Sequence, residues 1–271
     1  MSPLRPIADL HAAIARWGHQ AVDAWVAWWT VILTGAKIIV LALTPSSYSK
    51  GAHRYAVLRS IYESTAPLMV WLLVLSSLLS QVLIRIVVTT AQSYGLSEFA
   101  LAVLVRTLVL ELIPLYAALF VAVRYAMPAA QNVRRILRHE HQSGVRRHPQ
   151  DHLRAEMLPR AIGAMFSVLL TAALSCLLAL VLTYLNVYGF IPWGLPGYTE
   201  RVGAIFTPAV SLIFILKTAF FAMAVAFVPM AASAQRDANG GFARRNEISE
   251  FARLLSVILM IEVVSLIGNY Y

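Results

Sequence analysis

The chain has 271 residues, of which 59% are hydrophobic and 13% charged, with a formal net charge of +9. Soluble domains carry about 25% charged residues and cannot hide this much apolar surface, so the composition excludes a water-soluble enzyme and makes the bilayer the main solvent. The basic residues gather in a few loops between apolar runs and are not interleaved with aromatics, which excludes a nucleic-acid-binding domain.

Residues 5–22 place Ile7, Leu10, Ala13, Ile14, Trp17 and Val22 at helical spacing, with Asp9, His11, Arg16 and His19 elsewhere, the pattern of a helix lying in the membrane interface. The start lacks a small-residue cleavage site, so this segment is expected to stay in the mature protein. Residues 21–44 are long enough to cross but contain Asp23, Lys37 and a headgroup-type cluster of Trp25, Trp28 and Trp29, which favours a bent, membrane-embedded elbow over a full crossing. Residues 1–45 therefore form an interfacial and elbow segment within one transmembrane domain that occupies the whole chain, 1–271.

Residues 45–59 are polar and basic and are assigned to the cytoplasmic side. Five spans follow, at 66–90, 97–127, 157–187, 204–233 and 250–270, giving an all-α integral membrane protein. The connection between spans two and three carries Arg134, Arg135, Arg138, Arg146, Arg147, Arg154 and Arg160, with helical potential over 129–140, whereas the next one (NVYGFIPWGLPGYTER) has a single basic residue. The positive-inside rule then puts residues 128–150 and the loop 234–248, with Arg236, Arg244 and Arg245, in the cytoplasm. The N-terminus is expected to be cytoplasmic and the C-terminus periplasmic.

Several side chains do not belong to a simple apolar bundle. Arg85, Arg106, Glu111, Lys217 and Glu262 lie inside spans, where each charge costs about 2.5–3.5 kcal/mol, so they are expected to face the bundle interior, a wet cavity or a partner charge. The alternative is that they snorkel or lock helices together, and Arg85, near the end of its span, fits snorkelling better. Pro114, three residues after Glu111, is expected to kink span two by removing a backbone hydrogen bond. His139, His141, His148 and His152 match no standard ligand spacing and sit among arginines, so no metal or other cofactor is expected. The single cysteine, Cys176, lies in an apolar run and reads as a packed side chain. No G-x-x-x-x-G-K-[ST] loop occurs, so ATP, if used, is bound by another chain and the protein is not itself an enzyme.

The segment LELIPLYAALFVAVR, residues 110–124, resembles the RELGP...A...AGR signature of the MlaE/YrbE permease family, with Glu111, Pro114 and Arg124 matching it. Glu140 falls on the glutamate of that family's TEQ element, Asp151 on its VDP element and Pro159-Arg160 on its PR element. Lys217 and Phe221 (LKTAFF) are similar to its IKS..F motif, Glu262 takes the place of an acidic residue in the last span, and WGHQAV resembles its amphipathic start. The similarity covers nearly the whole chain through short motifs. It departs at Leu110, where the family has arginine and where Arg106 sits one helical turn earlier. It departs again at Asn132 and Arg134, which replace small and acidic residues, and at His141, which replaces glutamine.

The resemblance implies a divergent permease subunit of an ATP-driven lipid transporter in the bacterial inner membrane, with phospholipid as the expected substrate. Its partners would be a cytoplasmic ABC ATPase, a periplasmic MCE-type protein and a second copy or a paralogue of the permease. Arg106, Glu111, Pro114, Lys217 and Glu262 become candidates for the lipid path, and Arg124, Arg134, Arg138, Glu140 and Asp151 for coupling to the ATPase. The rival reading is a non-transporting structural or assembly subunit of such a complex. An ion-coupled secondary transporter, with intramembrane carboxylates as proton sites, fits less well because no inverted repeat is apparent.

Overall fold

The structure is a computed structural model, and it describes residues 29–45, 51–143, 149–234 and 247–270. The interfacial segment 5–22, Asp23, Trp25, Trp28, Arg146, Arg147, His148, Arg236, Arg244 and Arg245 lie outside the described residues.

Helix α1 (Trp29–Leu43) is apolar but shorter than the other membrane helices. The residues before Trp29 lie outside those described, so the elbow expected over 21–44 is described only from Trp29 onward. Helix α2 (Gly51–Ser93) begins well before residue 66, because the polar stretch 51–65 contains no helix breaker and Pro67 is accommodated inside the helix. The second crossing is one helical column made of α3 (Ser97–Leu104), α4 (Ile113–Val121) and α5 (Met127–Gln142), joined by π-helical turns. The basic helix expected over 129–140 is thus the continuation of a span rather than a separate element. Helix α6 (Pro149–His152) leads through a third π turn into α7 (Leu158–Tyr188), then α8 (Leu195–Ile205), α9 (Pro208–Ala234) and α10 (Glu247–Tyr270). Among the described residues there is no strand, and five helices are long and apolar enough to cross a membrane.

Each π segment ends two residues before a proline: Val105–Leu112 before Pro114, Ala122–Ala126 before Pro128, and Leu153–Met157 before Pro159. A proline ring clashes with the carbonyl four residues back and has no N–H to offer it. Widening the preceding turn relieves the clash, and the N–H groups of Ile113, Met127 and Leu158 accordingly bond five residues back, to Leu108, Ala122 and Leu153. The effect expected of Pro114 is therefore a wide turn that frees the Leu110 carbonyl.

Small residues let the long helices approach. Helices α2 and α7 meet through Ser64, whose hydroxyl donates to the Gly163 carbonyl at 2.9 Å, and Ser167, whose hydroxyl donates to the Ser64 carbonyl at 2.8 Å. Nearer the opposite end the amides of Gln81 and Asn186 exchange hydrogen bonds of 3.1 and 2.9 Å. The main apolar core gathers Val121, Val133, Val168, Phe221, Met230 and Leu254 from α4, α5, α7, α9 and α10. Helix α8 docks on α7 through an edge-to-face contact of Tyr184 with Tyr198, whose hydroxyl donates to the Leu180 carbonyl at 2.8 Å.

A Cβ on Gly163 would stand 2.6 Å from Ser60 Oγ and 2.9 Å from the Ser60 carbonyl oxygen, so the backbones would have to separate. Gly163→Ala is expected to destabilise the fold by about 1–3 kcal/mol in detergent unfolding, the usual cost of overpacking, while Gly197→Ala, with open space around it, changes little. Burial, helped by Tyr188, pushes the Tyr198 phenol up to about 12. Folding therefore favours the protonated form over an unfolded value of about 10. Its contribution is complete below pH ~10 and is lost as pH rises through about 12, which a phenolate absorbance titration combined with unfolding measurements checks.

Candidate functional site

Three charged residues from three helices meet inside the bundle. The Lys217 ammonium on α9 pairs with Glu111, in the first π turn, and with Glu262 Oε2 on α10 at 2.8 Å. It also donates to the Leu110 carbonyl at 3.3 Å, the group that Pro114 deprives of its helical partner. Two of its N–H donors go to the Leu110 carbonyl and the Glu111 carboxylate, and the Glu262 carboxylate stands close as a second counter-charge. Lys217, Glu111 and Glu262 are only 2%, 7% and 9% exposed, so these contacts replace the water that the charges have lost. The Lys217 nitrogen also lies 5.7 Å from the centre of the Phe221 ring, one helical turn along α9.

Asn269 on α10 completes the cluster by donating to Glu111 Oε1 at 2.9 Å. Glu262 and Asn269 are seven residues apart and share a face of α10, so one helix supplies both a charge and an amide. Arg106, which is exposed, lines a small cavity with Leu110, Glu111, Val210 and Asn269. The arginine expected to compensate for Leu110 thus faces the same space as Leu110 and Glu111. Arg85 is exposed as well, and stands apart from this cluster.

At 1.5 Å per residue, Glu111, Lys217 and Glu262 lie about 12–21 Å from the ends of their helices at Ser97, Pro208 and Tyr270, all at one end of the bundle. The basic segment lies at the other end. There Arg134 on α5 turns inward, pairing with buried Glu250 of α10 and donating to the Ala232 carbonyl of α9 at 3.0 Å. Glu140 Oε2 contacts His152 Nδ1 at 3.2 Å, which ties the end of α5 to α6. Arg138 and Asp151 are exposed, whereas Arg124 lines a cleft between α2, α5 and the start of α7. The five coupling candidates therefore do not form one surface: Arg138, Glu140 and Asp151 are at the tip, Arg134 is a brace and Arg124 belongs to the cleft. Among the described residues no group of three or more His, Cys, Asp or Glu comes together as a metal site.

The helical column with its charged π turn, the lysine of α9 and the acid of α10 form a single assembly, and the same stretch of chain, residues 57–267, matches the family described as Permease MlaE. The chain belongs to the MlaE permease family. No curated protein matches the chain. Family membership makes this a multi-pass membrane permease of the ABC-type lipid transport class.

Sequence reasoning missed Asn269 and Glu250. Asn269 was findable as a polar residue two turns after Glu262 on the same face, but the partner of Arg134 is 116 positions away and carries no local signal. Removing Lys217 should expose what the cluster holds: Lys217→Met leaves two buried carboxylates without a cation and is expected to cost about 3–5 kcal/mol in detergent unfolding. Adding Glu111→Gln and Glu262→Gln to that variant is expected to restore most of the loss, because the orphaned charges are gone.

Proposed function

We propose that this permease is the membrane subunit of an ATP-driven phospholipid transporter, and that the Lys217 cluster lies on the lipid path. The observation that carries this reading is a buried ion cluster beside a cavity faced by Arg106 and Asn269, built on residues with a high insertion cost. Placing the basic loops in the cytoplasm puts the cluster in the periplasmic half of the bilayer, with the N-terminus cytoplasmic and the C-terminus periplasmic, in the bacterial inner membrane. Lipid would pass between this half and a periplasmic MCE-type protein. Arg106 would attract the headgroup, while Glu111 and Glu262 hold Lys217 so that the polar wall keeps its shape.

A separate cytoplasmic ABC ATPase would act on the tip formed by α5 and α6. Arg138, Glu140 and Asp151 are its contacts in this reading, and Arg134 passes movement of α5 to α9 and α10 through Ala232 and Glu250. A second copy or a paralogue would close the cavity from the open side, where α2 and α10 expose long apolar faces that include Trp71, Leu78, Met260 and Val264.

One observation favours the rival scaffold reading: the Lys217 ammonium is met by two carboxylates and a carbonyl of its own chain, which is what a purely structural lock requires. The two separate in a reconstituted complex with the ATPase. Glu111→Gln together with Glu262→Gln is expected to abolish lipid-stimulated ATP hydrolysis while the complex still assembles. Unchanged stimulation would sink the transport role, and failure to recover an ATPase or an MCE-type subunit on mild purification would sink the permease assembly itself.

A further inference from the structure

At the basic end of the bundle, away from the Lys217 cluster, α2, α5 and the start of α7 enclose a polar cleft of about 520 Å³. This falls within the ~300–1,000 Å³ range of small-molecule sites. Arginines dominate its chemistry. Arg59 pairs with Glu63 at 2.7 Å, and Arg160 Nη1 pairs with Glu156 Oε2 at 2.5 Å and donates to the Glu156 carbonyl at 2.6 Å. Each of these arginines is neutralised by a carboxylate on its own helix column, one turn away. Arg124 lines the same cleft and has no carboxylate within ion-pair distance among the described residues. The charged residues lining the cleft therefore leave one net positive charge. Below Arg124, Tyr125 and Ser60 join their hydroxyls at 2.6 Å and bind the walls together.

The depth of the cleft in the membrane follows from the charges around it. Residues 64–84 carry none, which amounts to about 32 Å of helix between Glu63 and Arg85, the thickness of a hydrocarbon core. Residues 161–199 likewise carry none, so Arg160 stands at the same boundary as Glu63. From Phe99 to Arg124 the second column rises about 38 Å, which brings Arg124 to headgroup level. On the hydrocarbon side of Glu63, Val70 and Val74 of α2 are 68% and 50% exposed, an apolar flank next to a cationic hollow.

We infer that this cleft is a binding site for the phosphate of an anionic phospholipid in the leaflet at the basic end, with Arg124 as the charge that pairs with it. Arginine suits this task because its planar fork donates two parallel hydrogen bonds to phosphate oxygens. Arg59 and Arg160, already held by glutamates, offer their remaining N–H donors to the headgroup without adding net charge. The acyl chains lie along Val70 and Val74, on the hydrocarbon side of Glu63. The same phosphate chemistry occurs in a free anion, but a free anion gains nothing from the apolar flank. The site is separate from the Lys217 cluster and does not depend on whether that cluster carries cargo.

The test uses the full chain, delipidated in mild detergent and titrated with phosphatidylglycerol under native mass spectrometry. Arg124→Gln is expected to lower retained phosphatidylglycerol at least about tenfold, a loss of ~1.4 kcal/mol in binding, and Arg124→Lys to keep part of it. Excess inorganic phosphate is expected to leave the lipid in place. A second readout spares Arg124 altogether: Asn132→Cys, at the rim of the cleft, is labelled with a fluorophore while buried Cys176 stays unmodified. Spin-labelled phosphatidylglycerol should quench this label more strongly than spin-labelled phosphatidylcholine. Equal quenching by the two lipids, or equal retention by Arg124→Gln, overturns the proposal. Displacement by inorganic phosphate reassigns the cleft to free anions, and a variant that keeps its lipid but loses a co-purifying ATPase reassigns it to a protein contact.

Discussion

A lysine buried inside a helical bundle is an expensive object, and neighbouring helices supply the groups that surround Lys217. Glu111 and Glu262 pair with it from two neighbouring helices, and the Leu110 carbonyl accepts one of its N–H donors. That carbonyl is available because Pro114 has no N–H to give it, and the π turn before the proline swings Glu111 and Arg106 toward the same cavity. A backbone defect, a buried cation and two carboxylates thus depend on one another. None is tolerable alone in hydrocarbon, where an unsatisfied polar group costs several kcal/mol.

The arrangement ties together the parts of the chain that a permease has to coordinate. Lys217 is on α9, Glu262 on α10 and Glu111 on the second column, so the cluster clamps three of the five crossings at one level. At the other end Arg134 performs a related task with Ala232 and Glu250, joining the same three elements on the basic side. Two polar clamps, one at the basic end and one within the opposite half of the bundle, thus tie α9 and α10 to the second column. In contrast, α2 and α7 are held by close backbone approach through Ser64, Gly163 and Ser167, a contact of small residues with no charge in it.

Charges in the spans and arginines in the loops were legible from the chain because the bilayer penalises both in a position-dependent way. Lys217, Glu111 and Glu262 stood out one by one, yet nothing in their spacing shows that one lysine serves both acids, since the three are separated by more than a hundred residues in one direction and by tens in the other. The coupling candidates illustrate the converse. Arg134 and Arg138 share a face of α5, but Arg134 lies deep enough to meet Glu250 whereas Arg138, one turn nearer the tip, is exposed. Arg124 and Glu140 share a sequence neighbourhood and still serve different places, a cleft wall and a contact with His152.

By itself the sequence determined the solvent, the number of crossings, the distribution of basic loops and the family resemblance. These follow from length, hydropathy and local motifs, quantities that need no knowledge of neighbours in space. Only the tertiary structure decided which acids neutralise Lys217, that a proline releases the carbonyl it needs, that Asn269 joins the cluster, and that Arg59, Arg124 and Arg160 converge on one cleft. Those are long-range pairings between helices. Their partners are chosen by how ridges, small residues and wide turns let the helices meet, and a linear pattern carries no record of that choice.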